Sequence, residues 1–274
     1  MASAAIDGLT IEYESNGEGD LVVTIHGALI ADAFRPLLSQ SALNSYRLLA
    51  YHRRGYAGST AIEGPVSVSQ QADDCRALMR YLDIPRAHII GHSFGGAVAL
   101  QLALESPQFV HTLTLLEPAL MIGDSAAGYR ASLQEAMAHF HETDPSVVVD
   151  EMLRVRWPGY RVGLEAVVPG AFGAAVLAAS AAFDAELPGL LAWSFDDEQA
   201  SAIALPVLSV MGGESEALSP RFAEAHRWII ETFPDAEGYV LPGAHHFLQM
   251  ENPSDMANAL AAFYSRHPLS SSRA

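Results

Sequence analysis

Residues 88–100 read HIIGHSFGGAVAL, an apolar run that ends in Gly91-His92-Ser93-Phe94-Gly95-Gly96 and passes at once into small and apolar residues. A fully apolar strand that turns directly into a helix is the repeating unit of a parallel sheet covered by helices. The rest of the chain repeats the pattern. "LTIEYESNG" alternates apolar and polar residues as a half-exposed strand does, and "DLVVTIHGA" is a continuous apolar run. "YRLLAYHRRG" and "VHTLTLLEPA" are further strands. "SVSQQADDCRALMRYLDI" carries Ala72, Cys75, Leu78, Met79 and Leu82 at helical spacing, with serines able to cap its start. The alternation lapses over residues 121–200, which read as helical pieces broken by "WPGY", "VPGAFG" and "LPG". It resumes with the strand "LPVLSVMGG", the helix "SPRFAEAHRWIIETF", the short strand "AEGYVLPG" and the helix "SDMANALAAFYSRH". The expected fold is α/β: a mostly parallel central sheet with helices on both faces, built from residues 1–120 and 201–274. A helical cap is expected over 121–200, inserted after the strand that follows the glycine-rich turn.

Composition limits the partners. A formal net charge of -17 repels nucleic acid and anionic lipid, so neither is expected to bind. Cys75 is the one cysteine, which excludes an intramolecular disulfide, and its helical setting reads as a small buried residue. The N-terminus lacks the basic-then-apolar pattern of a signal peptide, and no run of ~18 apolar residues is present. The expectation is a cytoplasmic monomer or homodimer without membrane contact. The tail "HPLSSSRA" is expected to fray.

Gly91-His92-Ser93-Phe94-Gly95 fits G-x-S-x-G with a strand before it and a helix after it. A turn that sharp forces the serine into a strained conformation, and its neighbours must be small. The hydroxyl then stands at a helix N-terminus, where free N–H groups favour developing negative charge.

With these residues in view the chain resembles the α/β-hydrolase superfamily, carried by "TIHGA", "AYHRRGYAGS", "IIGHSFGGAVAL", "LPVLSVMGG" and "LPGAHHFLQMENP" in that order. The resemblance implies Ser93 as nucleophile and a histidine base near the C-terminus. His245 and His246 are adjacent there, and "HFLQMENP" favours His246. The resemblance also implies oxyanion donors at the Ala28 and Phe94 N–H groups, worth about 3 kcal/mol each. His26 is expected to hydrogen-bond its own loop, and His92 to form a pocket wall.

The triad acid departs from the family pattern. Its usual place, three residues after Gly212, holds Ser215, flanked by Glu214 and Glu216. A second place, used by some superfamily members, is the end of "HTLTLLEPAL", where Glu117 stands. A carboxylate beside so apolar a run needs a partner, which a histidine that becomes charged supplies. Glu117 is the preferred acid, with Glu216 and Glu214 as alternatives.

The expected activity is a serine esterase acting through an acyl-enzyme on a small, uncharged carboxylic ester, without metal or other cofactor. The uncharged pocket is inferred from "GAFGAAVLAASAAF" and "LPGLLAWSF". Lactone hydrolysis, peracid formation and carbon–carbon hydrolysis use the same triad and stay as alternatives, as does a ligand-binding protein of this fold with little turnover.

Overall fold

A computed structural model describes residues 1–269. Its strands are β1 (Ala2–Ile6), β2 (Leu9–Asn16), β3 (Asp20–Ile25), β4 (Tyr46–Tyr51), β5 (Ala87–His92), β6 (Val110–Leu116), β7 (Val207–Gly212) and β8 (Ala236–Leu241). They form one eight-stranded sheet in the order β1-β2-β4-β3-β5-β6-β7-β8. The β1–β2 and β2–β4 pairs are antiparallel and every other pair is parallel.

The connecting helices are α1 (Val68–Tyr81), α2 (Phe94–Glu105), α3 (Ala126–Glu142), α4 (Pro145–Arg154), α5 (Tyr160–Val167), α6 (Ala171–Leu177), α7 (Leu187–Ala192), α8 (Asp197–Ala202), α9 (Arg221–Thr232) and α10 (Pro253–Arg266). Helices α3 to α8 all lie between β6 and β7 in the chain. Ser67 caps α1 in a capping box with Gln70, satisfying N–H groups that the first turn leaves free.

Strand alternation sends side chains to two faces. Val23, Ile89 and Leu115 pack with α1 and α2, whereas Val22, Ile90 and Leu116 pack with α10. Burial on both faces explains why β3 and the middle of β5 read as apolar runs, whereas β6 buries Thr112 and Thr114 among its leucines.

Three local details depart from expectation. Strand β1 was not expected, although its signal is present: Asp7 and Gly8 both take positive φ (48° and 83°), the two-residue turn that Asp-Gly favours in a hairpin. "LPG" does not break a helix. A π-helical turn, Ala181–Glu186, runs straight into α7, and Pro188 stands at the junction, where the ladder changes register and its missing N–H is tolerated. The tail is held at its start, where the Leu269 N–H donates to Asp20 Oδ2 (2.8 Å) and the His267 carbonyl lies 3.0 Å from His111 Nε2. Residues 270–274 of the stretch expected to fray lie outside the described residues. Among the described residues, no single helix is long and apolar enough to cross a membrane.

Candidate active site

The parallel register sets the site. His92 pairs with Leu116 and Leu116 with Val210, so Ser93, Glu117 and the loop after β7 meet at the carboxyl ends of adjacent strands. Open α/β sheets bind ligands at that edge. Ser93 takes φ 51° and ψ -118°, which few non-glycine residues adopt. Its N–H donates to the Leu116 carbonyl (3.0 Å), and its own carbonyl accepts from the Ala119 N–H (2.9 Å). A Cβ on Gly91 would overlap the Gly95 carbonyl, and one on Gly95 would overlap the Ile25 carbonyl, so glycine is required at both.

Glu117 also has positive φ (41°), and its N–H donates to the Val210 carbonyl (3.1 Å). That turn aims its carboxylate across the end of β7. Oε1 accepts from the Gly212 N–H (2.8 Å), and Oε2 lies 2.7 Å from His246 Nδ1. A carboxylate only accepts, so Nδ1 carries the proton and Nε2 is left to accept. His246 Nε2 lies 3.1 Å from Ser93 Oγ. The structure thus joins Ser93, His246 and Glu117 in one chain of hydrogen bonds. His246 and Glu117 are both buried.

The alternatives lie elsewhere. His245 is bound to Glu251 (2.9 Å), and Glu251 also accepts the His245 and Phe247 N–H groups, which pins the loop that presents His246. Glu214 and Glu216 are exposed. Ser215, at the family's usual acid position, is fully buried beside Glu117.

Burial holds the Glu117 carboxyl above the ordinary carboxylate range, opposed by the Ser215 hydroxyl, the Gly212 N–H and the Arg221 charge. Burial drives His246 well below the usual imidazole value, and the Arg221 and Arg156 charges push the same way. The imidazole is therefore neutral at pH 7, as a proton acceptor must be.

Ala28 and Phe94 both face the cavity in front of Ser93, and their N–H groups are taken by no other group among the described residues. The turn that presents Ala28 is braced from below. His26 Nδ1 lies 2.7 Å from the Gly27 carbonyl, and Arg53 donates to the His26 and Gly27 carbonyls (3.0 Å each). Arg53 is itself buried and ion-paired with Glu186, which also accepts from Tyr56 (2.7 Å) and Gln71 (3.0 Å). Sequence reasoning missed this pair. The one signal was Arg53 in "YHRRG", and nothing marked its partner 133 positions away. His92 lines the cavity, and its Nε2 lies 2.8 Å from the His246 carbonyl.

The cavity measures about 30 Å³. Leu133, Met152 and Leu190 wall it from the helices after β6, together with Tyr129 and Arg156. "LPGLLAWSF" contributes as expected, through Leu187 and Leu190. "GAFGAAVLAASAAF" does not: Ala171, Ala174 and Leu177 face a separate cleft beside Tyr56. The expectation of an uncharged pocket fails at Arg156, a cation in the wall. Cys75 is buried in the core, and burial pushes its thiol to about 12, which keeps it protonated. Among the described residues, no group of three or more His, Cys, Asp or Glu is placed to hold a metal ion.

A family model described as "alpha/beta hydrolase fold" matches residues 20–253. The dihydrolipoyllysine-residue acetyltransferase component of the acetoin cleaving system from Cupriavidus necator is 29% identical over 94% of this chain, which spans 67% of that protein, about two thirds of its length. The 2-(acetamidomethylene)succinate hydrolase of Mesorhizobium japonicum is 26% identical over 94% of this chain and 92% of its own. Among solved structures, a thermophilic esterase from Thermogutta terrifontis superposes with TM-score 0.82 at 20% identity, over 98% of this chain and 99% of that one. The enol-lactonase from Burkholderia xenovorans LB400 superposes with TM-score 0.79 at 21% identity, over 96% and 100%. Both structural likenesses are of fold.

Proposed function

The chain belongs to the alpha/beta hydrolase family, and from that premise we propose that it is a serine hydrolase that cleaves a small carboxylic ester through an acyl-enzyme. The observation that carries this is the hydrogen-bonded chain Glu117–His246–Ser93, with His246 Nε2 free to accept the serine proton. Ser93 Oγ attacks the carbonyl carbon while His246 Nε2 takes its proton. The carbonyl oxygen becomes an oxyanion held by the Ala28 and Phe94 N–H groups. His246 returns the proton to the departing alkoxide, which leaves as an alcohol, and the acyl group stays on Ser93. Water then attacks the acyl-enzyme. His246 takes one of its protons and passes it back to Ser93 Oγ as the carboxylic acid departs. Glu117 orients the imidazole and stabilises its cation without taking the proton.

A second reading comes from the Mesorhizobium relative, named as a hydrolase of 2-(acetamidomethylene)succinate and matched over nearly its whole length. There the acyl group would be released from nitrogen, and His246 would protonate the amine. The test is hydrolysis of p-nitrophenyl acetate together with labelling by a fluorophosphonate. Turnover and labelling that both vanish in Ser93→Ala support the proposal. An unlabelled, inactive wild-type protein refutes it.

A further inference from the structure

Among the described residues, Arg156 is the one charged side chain that the segment between β6 and β7 brings to the Ser93 cavity. It lies just past the end of α4, half-buried, with Nη1 donating to the Met152 carbonyl (2.8 Å). Nε and Nη2, which form the side-on edge of the guanidinium, make no hydrogen bond among the described residues. No carboxylate oxygen of those residues lies within 4.0 Å of it. This holds although Glu135 and Glu151 line the adjoining outer cleft.

Arg221 sits nearby, its guanidinium 4.2 Å from the Tyr129 ring centre and 3.8 Å from that of Phe222, and among the described residues it too has no carboxylate partner. Two other arginines drawn into the fold are ion-paired, Arg53 with Glu186 and Arg54 with Asp74, whereas half-buried Arg47 donates to the Ser15 hydroxyl. A chain with 32 acidic and 15 basic residues thus gathers two unpaired cations beside one cavity. Two half-buried like charges repel each other, and an anion between or beside them relieves that repulsion. Burial and the Arg221 charge lower Arg156 to about 10, which still leaves it protonated at neutral pH.

We propose that Arg156 binds a carboxylate on the substrate, so that the enzyme cleaves acyl compounds carrying a free carboxylate in preference to neutral ones. The planar edge of Nε and Nη2 matches two carboxylate oxygens. The outer cleft, about 430 Å³, shares Leu133, Met152 and Arg156 with the Ser93 cavity. A substrate anchored on this shared wall has its carboxylate on Arg156 while its carbonyl meets Ser93. The proposal rests on the serine hydrolase reading for its catalytic half only.

The experiment compares p-nitrophenyl hydrogen succinate with p-nitrophenyl 4-methylpentanoate, in which an isopropyl group replaces the carboxylate. The expected result is a kcat/KM ratio that favours the succinate in wild type. Arg156→Gln should lower that ratio by roughly 10- to 100-fold, the worth of a charged hydrogen-bonded pair. Arg156→Lys keeps the charge but loses the fork, so its ratio should fall between the two. A ratio unmoved by Arg156→Gln, or a wild-type preference for the neutral ester, overturns the proposal. Calorimetry with sodium succinate separates the two readings. Binding that persists in Ser93→Ala and is lost in Arg156→Gln upholds the anion subsite even if neither ester is turned over, in which case the hydrolase reading alone fails. Binding of inorganic phosphate but not succinate overturns the carboxylate assignment.

Discussion

Replacing Glu117 by Gln tests the acid assignment through one backbone bond. Glu117 Oε1 accepts from the Gly212 N–H at 2.8 Å, and Oε2 faces His246 Nδ1 at 2.7 Å. In the variant the amide oxygen must face Gly212, because an amide NH2 cannot accept that N–H. The NH2 group then points at His246 Nδ1 and makes it an acceptor. Nε2 carries the proton, and the imidazole can no longer take one from Ser93. Flipping the amide restores the tautomer but leaves the Gly212 N–H buried without an acceptor, at a cost of about 1–3 kcal/mol. The charged hydrogen bond to the imidazolium is lost either way, a further 1.5–3 kcal/mol or so. These costs combine to a fall of roughly 10²- to 10⁴-fold in kcat with KM little changed. The assay is steady-state hydrolysis of p-nitrophenyl acetate, with Glu214→Gln and Glu216→Gln in parallel and a melting curve for each variant. The two exposed glutamates should lose little. If Glu117→Gln stays folded and within fivefold of wild-type kcat, the assignment is wrong.

Other consequences are equally direct. Ser215 is buried against Glu117, so Ser215→Asp placed in the Glu117→Gln background should bring a carboxylate to His246 and regain at least about tenfold in kcat, the effect of some 1.4 kcal/mol. The acid limb of kcat/KM should lie below pH 6.5, because burial and then the Arg221 and Arg156 charges depress His246; Arg221→Gln removes one of those charges and should move the limb upward in a pH–rate profile. Glu186→Ala strands Arg53 as a buried unpaired charge and should cost about 3–5 kcal/mol in urea unfolding. His88 is buried, and burial lowers it from 6.5 to about 3. Because its folded value is depressed, the stability it supports is whole above pH 6.5 and drains away as the pH falls toward 3. The loss should reach about 2 kcal/mol by pH 5, and unfolding at pH 7 and 5 should show a shallower fall in His88→Asn.

Much of the architecture was legible because burial on both faces leaves strands that are mostly apolar, as β3, β5 and β7 are. The elbow was legible for a steric reason. Only glycine fits at 91 and 95, so the motif marks its own geometry. The hairpin of β1 and β2 was written in Asp7-Gly8 and overlooked, because the flanking "ASAAI" is too weakly patterned to read as a strand. For the base, "HFLQMENP" favoured His246 over His245, and the loop held by Glu251 is what separates the two in space.

For the acid, the apolar run before Glu117 favoured it over Glu216 and Glu214, but sequence alone left all three in play. Its position depends on how far β6 and β7 slide against each other, and their pairing brings Glu117 level with the Gly212 N–H. The Arg53–Glu186 pair and the charge of Arg156 in the cavity wall were likewise invisible. They join segments that local pattern does not link, and only packing of the helices after β6 onto the sheet edge brings them together. By itself the sequence determined the layers of this protein and the turn that holds Ser93, because apolar period and steric exclusion act between near neighbours. The tertiary structure decided which carboxylate reaches the histidine and which cation faces the serine, because the energy of a buried charge depends on what surrounds it in space.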